Sequence, residues 1–207
     1  MQQTHYIAGR LEAHWPALRC EIVPFVTHGD RTLDHPLPAI GGKGLFTAEL
    51  EAALNAGEID IAVHSLKDLP VADSPGLVLG AIPNREDVRD VLVVQDSGAG
   101  YAGAVGDADL SVLANGAVVG TSSLRRQAQL LAVRPDLQVR SIRGNVETRL
   151  RKVAEGHYDA TVLAAAGLVR VGLIGRAACY LPLELMLPAP GQGALAVQCR
   201  EEDERTL

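Results

Sequence analysis

Aromatic residues are scarce in this 207-residue chain: two Phe, one Trp and four Tyr, 3% of the sequence. Nucleic-acid binding by base stacking needs a broad basic stripe interleaved with aromatics, and the chain has no excess of basic charge to build one. It carries 19 Lys+Arg against 25 Asp+Glu, a net charge of −6. That balance also argues against general attraction to anionic membranes, so any anion site must be local. The three cysteines, Cys20, Cys179 and Cys199, are odd in number, widely spaced and without a C-x-x-C pair. Neither a disulfide framework nor a zinc site follows, and the cytoplasm is the expected compartment. No uncharged apolar run reaches the ~18 residues of a membrane span, and Met1-Gln2-Gln3-Thr4-His5 lacks the basic start of a signal peptide. A P-loop is missing because Gly41-Gly42-Lys43-Gly44 does not fit G-x-x-x-x-G-K-[ST], and no G-x-S-x-G elbow supports serine hydrolysis.

What remains is a globular composition, 47% hydrophobic and 21% charged, long enough for one to two domains with a core of their own. Tyr6, Ile7, Leu11 and Trp15 have helical spacing over residues 2–14, and Pro16 closes that helix. Residues 20–26 read as a strand, 28–38 as a polar loop, 45–55 as a helix and 59–63 as a buried strand. Further strands are expected at 77–82 and 91–94, separated by the charged turn 84–90, a crossing point between domains. After a Gly/Ala-rich loop at 97–106 the alternation is regular: strand 117–120, helix 123–132, strand 138–142, helix 146–155, strand 160–163, helix 164–171. Pro182, Pro188 and Pro190 precede Gly191-Gln192-Gly193, and residues 194–199 form a last strand. Strands alternating with helices imply an α/β protein with mostly parallel sheet. The economical architecture is two lobes with flanking helices and a cleft between them, lobe 1 being residues 1–88 plus 189–207 and lobe 2 residues 89–188.

The informative basic residues lie at turns rather than along helix faces. Gly120-Thr121-Ser122-Ser123-Leu124-Arg125-Arg126 ends a strand and opens a helix, which gathers free backbone N–H groups, hydroxyls and two guanidiniums as an anion site would. The plainer account, an N-cap followed by solvated arginines, stays open for this motif alone. Arg143-Gly144-Asn145-Val146-Glu147-Thr148-Arg149 repeats the logic at the next strand end, with Asn145 as N-cap and Gly144 allowing close approach of a ligand. Ligands of parallel α/β sheets sit outside the carboxyl ends of strands. Arginines at 125, 126, 143 and 149 suit a ligand bearing several carboxylates. In the first lobe, His64-Ser65-Leu66-Lys67-Asp68-Leu69-Pro70 places an acid beside a base at a strand end. Asp68 is the candidate for proton transfer or cation stabilisation and Lys67 for tethering an anion; a Lys–Asp surface pair is the alternative. Asp30, Asp34 and His35 are better explained by solvation and turn formation than as metal ligands, and no metal is expected.

These motifs, with Gly41-Gly42-Lys43-Gly44-Leu45-Phe46, Arg85-Glu86-Asp87 with Arg89-Asp90, and Leu187-Pro188-Ala189-Pro190-Gly191-Gln192-Gly193-Ala194, run in order along the chain. Together they resemble the porphobilinogen deaminase (hydroxymethylbilane synthase) family. The resemblance implies a cytoplasmic, monomeric transferase of tetrapyrrole (haem) biosynthesis. Such an enzyme joins four porphobilinogen units head to tail, with release of ammonia, on a covalently held dipyrromethane cofactor. It implies two lobes like those of type II periplasmic binding proteins, and Asp68 as a buried anion that stabilises cationic intermediates. It implies that Ser65, Lys67, Thr121, Ser123, Arg125, Arg126, Arg143, Gly144 and Arg149 hold the cofactor and chain carboxylates, while Lys43, Phe46 and Arg170 line the path of incoming substrate. Against the family pattern, a first strand before Met1 and a third domain with the attachment cysteine are expected but missing, and Cys199 falls within a strand. The chain as given is therefore expected to be incomplete and inactive alone. A noncatalytic two-lobed module for carboxylated small molecules is the alternative.

Overall fold

The computed structural model describes residues 1–25, 47–72, 74–95 and 110–207. The polar loop 28–38, the glycine loop 41–44 with Lys43, Phe46 and the small-residue loop 97–106 lie outside the described residues. In chain order the regular elements are α1 (Gln2–His14), α2 (Ala48–Asn55), β1 (Ile61–Ser65), β2 (Leu77–Ala81), β3 (Asp90–Val94), β4 (Val118–Gly120), α3 (Leu124–Val133), β5 (Gln138–Arg140), α4 (Val146–Ala154), β6 (Ala160–Ala164), α5 (Ala165–Arg170), β7 (Cys179–Tyr180) and β8 (Leu195–Arg200). Short 3₁₀ turns lie at Leu66–Asp68, Leu110–Val112 and Ile174–Arg176. The chain divides into two compact units. The first comprises the described parts of Met1–Thr32 and Gly41–Arg85 together with Ala194–Leu207, and the second is Glu86–Gly193.

In the first unit β8 lies between β1 and β2 and runs antiparallel to both. Side chains alternate across a strand, so Ile61 and Val63 join Leu195 and Val197 against Ile7 and Leu11 of α1. Ala62, with Leu77 of β2, packs instead with Leu50 and Leu54 of α2. Tyr6 and Trp15, the other apolar residues of the predicted helix face, are exposed. Arg200 fastens the end of β8 to α2. Its Nη1 donates to the carbonyls of Leu54 (3.0 Å) and Ile59 (2.7 Å), and its Nη2 to Asp203 (2.6 Å) and Asp60 (3.1 Å). The Leu54 carbonyl is among those a helix C-terminus leaves without an intrahelical donor.

The second unit is a five-stranded sheet in the order β5-β4-β6-β3-β7. Strands β4, β5 and β6 are mutually parallel, while β3 is antiparallel to β6 and β7. Both faces are covered, which is why β3 and β6 read as nearly continuous apolar runs. Leu92, Val119, Leu130, Val162, Leu181 and Met186 form one core, and Val91, Val93, Leu150, Leu163 and Leu168 the other. Each fully buried Leu among them contributes ~1.5–3 kcal/mol relative to exposure.

The α/β class with mixed sheets and flanking helices agrees with the sequence. Three details differ. Parallel pairing is confined to β4, β5 and β6 among the described strands, because β8 returns against the direction of its neighbours and β3 enters opposite to β6. Residues 20–25 of the expected strand 20–26 belong to no sheet. Val23 is 47% exposed, and the Cys20 amide donates to Glu12 Oε1 at 2.8 Å rather than to a strand. Strand β7 was not anticipated, since two residues are too short to show an alternation.

At Gly193 two segments of the second unit approach closely. The Glu86 amide donates to its carbonyl at 3.1 Å, its φ is +88°, and a Cβ there would lie 2.5 Å from the Glu86 carbonyl oxygen. Gly193→Ala is therefore expected to destabilise the second unit by about 1–3 kcal/mol, read as a lower urea midpoint. An unchanged midpoint would contradict this packing.

Candidate functional site

The carboxyl ends of β4 and β5 lie side by side, with Gly120 paired to Arg140. The chain leaves β4 through the tripeptide 121–123 and β5 through the pentapeptide 141–145, each leading into a helix. Ser123 caps α3, its Oγ accepting from the Arg126 amide at 3.4 Å, and Asn145 caps α4, its Oδ1 accepting from the Thr148 amide at 2.8 Å. Thr121 is buried; its amide donates to the Arg140 carbonyl at 2.9 Å, and its Oγ1 accepts from the Ser123 amide at 3.2 Å. Ser122 Oγ donates to the Ile142 carbonyl at 2.7 Å and lies 2.9 Å from Ser141 Oγ. These cross-links hold the two helix starts together, so their outward amides present one electropositive region. Gly144 makes the second turn possible: at φ +111° a Cβ would meet the Thr148 side chain at 2.6 Å. Arg149 closes the same turn by donating from Nε to the Gly144 carbonyl at 2.8 Å. Arg143 and Arg149 are both half-buried.

Arg125 and Arg126 are placed differently from the open row that the sequence suggested. Asp90, at the start of β3, has no exposed surface. Its Oδ2 accepts from Arg126 Nε (3.1 Å) and Arg125 Nη2 (2.9 Å), and its Oδ1 from Arg126 Nη2 (2.7 Å) and Gln192 Nε2 (2.8 Å). Arg126 is thus a buried partner of a carboxylate rather than an open cation. Arg125, with 24% of its side chain exposed, also donates to the Leu187 carbonyl and to Gln192 Oε1 at 3.4 Å. Arg170 donates from Nη2 to the Gly193 carbonyl at 2.5 Å.

In the first unit β1 ends at Ser65, which exchanges hydrogen bonds with Gln3 of α1 at 2.9 and 3.3 Å. The chain then makes the single 3₁₀ turn that carries Lys67 and Asp68, both exposed. Asp68 is therefore an exposed carboxylate of this unit. His64 points the other way, into the unit, with its Nε2 unpaired; Glu51 Oε1 and Gln198 Oε1 are likewise buried and unpaired. Burial lowers the His64 pKa against the opposing influence of Gln198, Glu51 and Asp68. A buried neutral imidazole and an exposed acid do not form a nucleophile-activating relay.

Comparison with known proteins decides the family. The family model described as "Porphobilinogen deaminase, dipyromethane cofactor binding domain" matches residues 1–207. The chain belongs to the porphobilinogen deaminase family. It is 51% identical over 207 residues to a porphobilinogen deaminase of Brevibacillus brevis, covering all of this chain and 64% of that protein. It is 53% identical over 205 residues to one of Syntrophotalea carbinolica, covering 99% of this chain and 62% of that protein. The chain thus spans less than two thirds of the length of these relatives. Among solved structures, the BenM effector binding domain with its effector benzoate aligns with a TM-score of 0.52 at 17% identity, over 97% of this chain and 78% of that one. That likeness is one of fold, of the two-lobed periplasmic-binding-protein kind.

Within this porphobilinogen deaminase family chain the cysteines are poorly placed for reaction. Cys179 and Cys199 are buried in strands, and burial followed by Asp203 raises the Cys199 pKa. Cys20 is half-buried, its pKa raised by burial and then by Glu12. Among the described residues no three His, Cys, Asp or Glu side chains form a metal-sized group, and no helix is long and apolar enough to cross a membrane. Lys43 and Phe46 lie outside the described residues. Asp90 and Gln192 stand in the quoted motifs, but the sequence reading gave neither a role. The signal for Asp90 was available: an acid opening the apolar run Asp90-Val91-Leu92-Val93-Val94 needs a buried cation.

Burial pushes the Asp90 carboxyl up, but the Arg126 and Arg125 guanidiniums outweigh it and hold its pKa below the ordinary value. A depressed folded-state pKa adds stability that is complete above the unfolded value, about pH 4, and is lost as pH falls through the folded value. The urea midpoint of the parent should therefore exceed that of Asp90→Asn at pH 7, and the gap should narrow toward about pH 2. A gap independent of pH would show that Asp90 is not the group responsible.

Proposed function

We propose that this chain supplies the cofactor- and substrate-holding part of a porphobilinogen deaminase. That enzyme condenses four porphobilinogen units head to tail, releasing one ammonia for each, in the cytoplasm and as a monomer. The observation that carries the proposal is the paired strand-end cluster of the second unit, in a chain about half identical to porphobilinogen deaminases. Porphobilinogen and its oligomers bear an acetate and a propionate on every ring. Hydroxyls, helix-start amides and guanidiniums are the donor set that such carboxylates require.

Dipyrromethane fits this donor set. Thr121, Ser123, Arg125, Arg143, the Gly144 turn and Arg149 would hold its carboxylates, with Arg126 behind Arg125. When bound, it supplies the terminal pyrrole to which the next ring is joined. Ser65 and Lys67 are assigned to carboxylates of the chain, and Lys43, Phe46 and Arg170 to incoming substrate. Asp68 faces outward at the end of β1. A pyrrole lying over it would exclude water, which strengthens the attraction between its carboxylate and positive charge developing at pyrrole nitrogen. Lys67, beside it, would tether a ring carboxylate and so orient the ring.

Two measurements test this. Calorimetry with a synthetic dipyrromethane bearing acetate and propionate groups should give binding that weakens with salt. In a folded Arg125→Ala/Arg143→Ala variant, affinity should fall by about tenfold or more; unchanged affinity would place the carboxylates elsewhere. For Asp68, turnover is measured in a full-length porphobilinogen deaminase carrying residues 1–207 of this chain. Asp68→Asn should retain oligopyrrole binding while turnover drops by about 100-fold or more. Turnover within a few-fold of the parent would remove Asp68 from catalysis.

A further inference from the structure

We propose that Asp90, seconded by Gln192, is a positioning residue that fixes the direction of Arg125 and Arg126 at the start of α3. The inference rests on the carboxylate-binding reading above and extends it to two residues that do not face the ligand. One fully buried carboxylate takes four donors from two other segments: three N–H groups from the first turn of α3, and the Gln192 amide. Arg126 meets it with a fork, Nε and Nη2 on separate oxygens at 3.1 and 2.7 Å, a geometry that fixes orientation as well as distance. Gln192 locks the carboxylate in turn. Its Nε2 is shared between Asp90 Oδ1 and the Val88 carbonyl, both at 2.8 Å, while its Oε1 accepts from Arg125.

The charges do not cancel. Two guanidiniums share one carboxylate, so one positive charge remains. It resides on Arg125, which gives Asp90 a single hydrogen bond and keeps a quarter of its side chain exposed. Arg126 is 6% exposed and holds the other face of the same carboxylate. The pair therefore divides its labour: Arg126 anchors, and Arg125 is aimed outward as the cation for a ligand carboxylate.

Asp90→Asn separates positioning from mere charge balance, because the two make opposite predictions. Removing a negative charge raises the local positive potential. If Asp90 were only a counter-charge, an acetate- and propionate-bearing dipyrromethane would bind more tightly. As a positioning residue, its loss weakens binding by about tenfold or more although the site is more positive. Equal or tighter binding overturns the proposal. Because Asp90→Asn leaves buried guanidiniums without their acid and can fail to fold, Gln192→Met serves as a charge-neutral, volume-conserving second variant. It should weaken binding about threefold, and unchanged affinity again overturns the proposal. A ligand-free arm separates this inference from the functional reading. The Arg126 Nε–H resonance of the ¹⁵N-labelled chain, assigned by its loss in Arg126→Lys, should exchange slowly in the parent and move into the exposed-arginine envelope in Gln192→Met or Asp90→Asn. If the parent binds no dipyrromethane yet the resonance moves as expected, the carboxylate reading falls and the positioning role stands. A resonance that stays in place in both variants overturns the positioning role itself.

Discussion

A carboxylate with no exposed surface, at the head of a strand buried on both faces, constrains the second unit more than any other single group. Moving Asp90 from water into that interior costs several kcal/mol even after relaxation, and only nearby cations with good hydrogen-bond geometry offset it. The nearest source is the first turn of α3, which begins as β4 ends two strands away in the sheet. The stretch that follows β7 is drawn in as well: Leu187 exchanges hydrogen bonds with Gln129 of α3 at 2.7 and 3.2 Å, and Gln192 reaches Asp90. Burial of one acid thus ties together the start of a helix, the direction of its arginines and the return segment.

The same arrangement explains how a chain of net charge −6 can offer a site for anions. Composition sets the average field, but local potential follows from where donors are immobilised. Three strands run parallel and leave their carboxyl ends together. Two of them open into capped helices, and the segments before those helices are held by the Ser122 and Tyr158 hydroxyls, which donate to the Ile142 and Ser141 carbonyls, and by Thr121 Oγ1, which accepts from the Ser123 amide, so that the helix-start donors are fixed in place. Such preorganised donors need no rearrangement to receive a charged ligand.

Much of this was legible in the residues, and the failures share a cause. The regular alternation from β4 to α5 was readable because each element is defined within its own ten residues, by period 2 or period 3.6. The N-caps at Ser123 and Asn145 were readable for the same reason. What escaped depends on partners far along the chain. Residues 20–25 have the composition of a strand but pair with no strand among the described residues; β7 lies on the otherwise open edge of β3; and β8 runs antiparallel because of the route by which it returns. Arg126 is the chemical counterpart of these topological misses. Nothing within its own helix distinguishes it from Arg125, and only Asp90, 36 residues away, makes one a buried anchor and leaves the other partly exposed. The hydrogen bonds that Ser65 shares with Gln3, 62 residues upstream, are a further contact of this long-range kind.

The helix starts themselves give an independent reason for expecting an anion at the second unit. Cations near a helix N-terminus are unfavourable by roughly 0.3–1 kcal/mol each, the reverse of the usual acidic first turn. α3 has no acid in its first turn and begins Leu124-Arg125-Arg126. Asp90 compensates one of the two guanidiniums, which leaves the other together with the positive end of the helix. α4 differs in carrying Glu147 in its first turn, so its own side chain already answers part of the demand. The 3₁₀ turn at Leu66–Asp68 is only three residues long and has no macrodipole of consequence, so an outward carboxylate such as Asp68 is neither attracted nor screened by it. A residue meant to meet positive charge is well placed on such a turn, and a residue meant to meet negative charge is well placed at the head of α3.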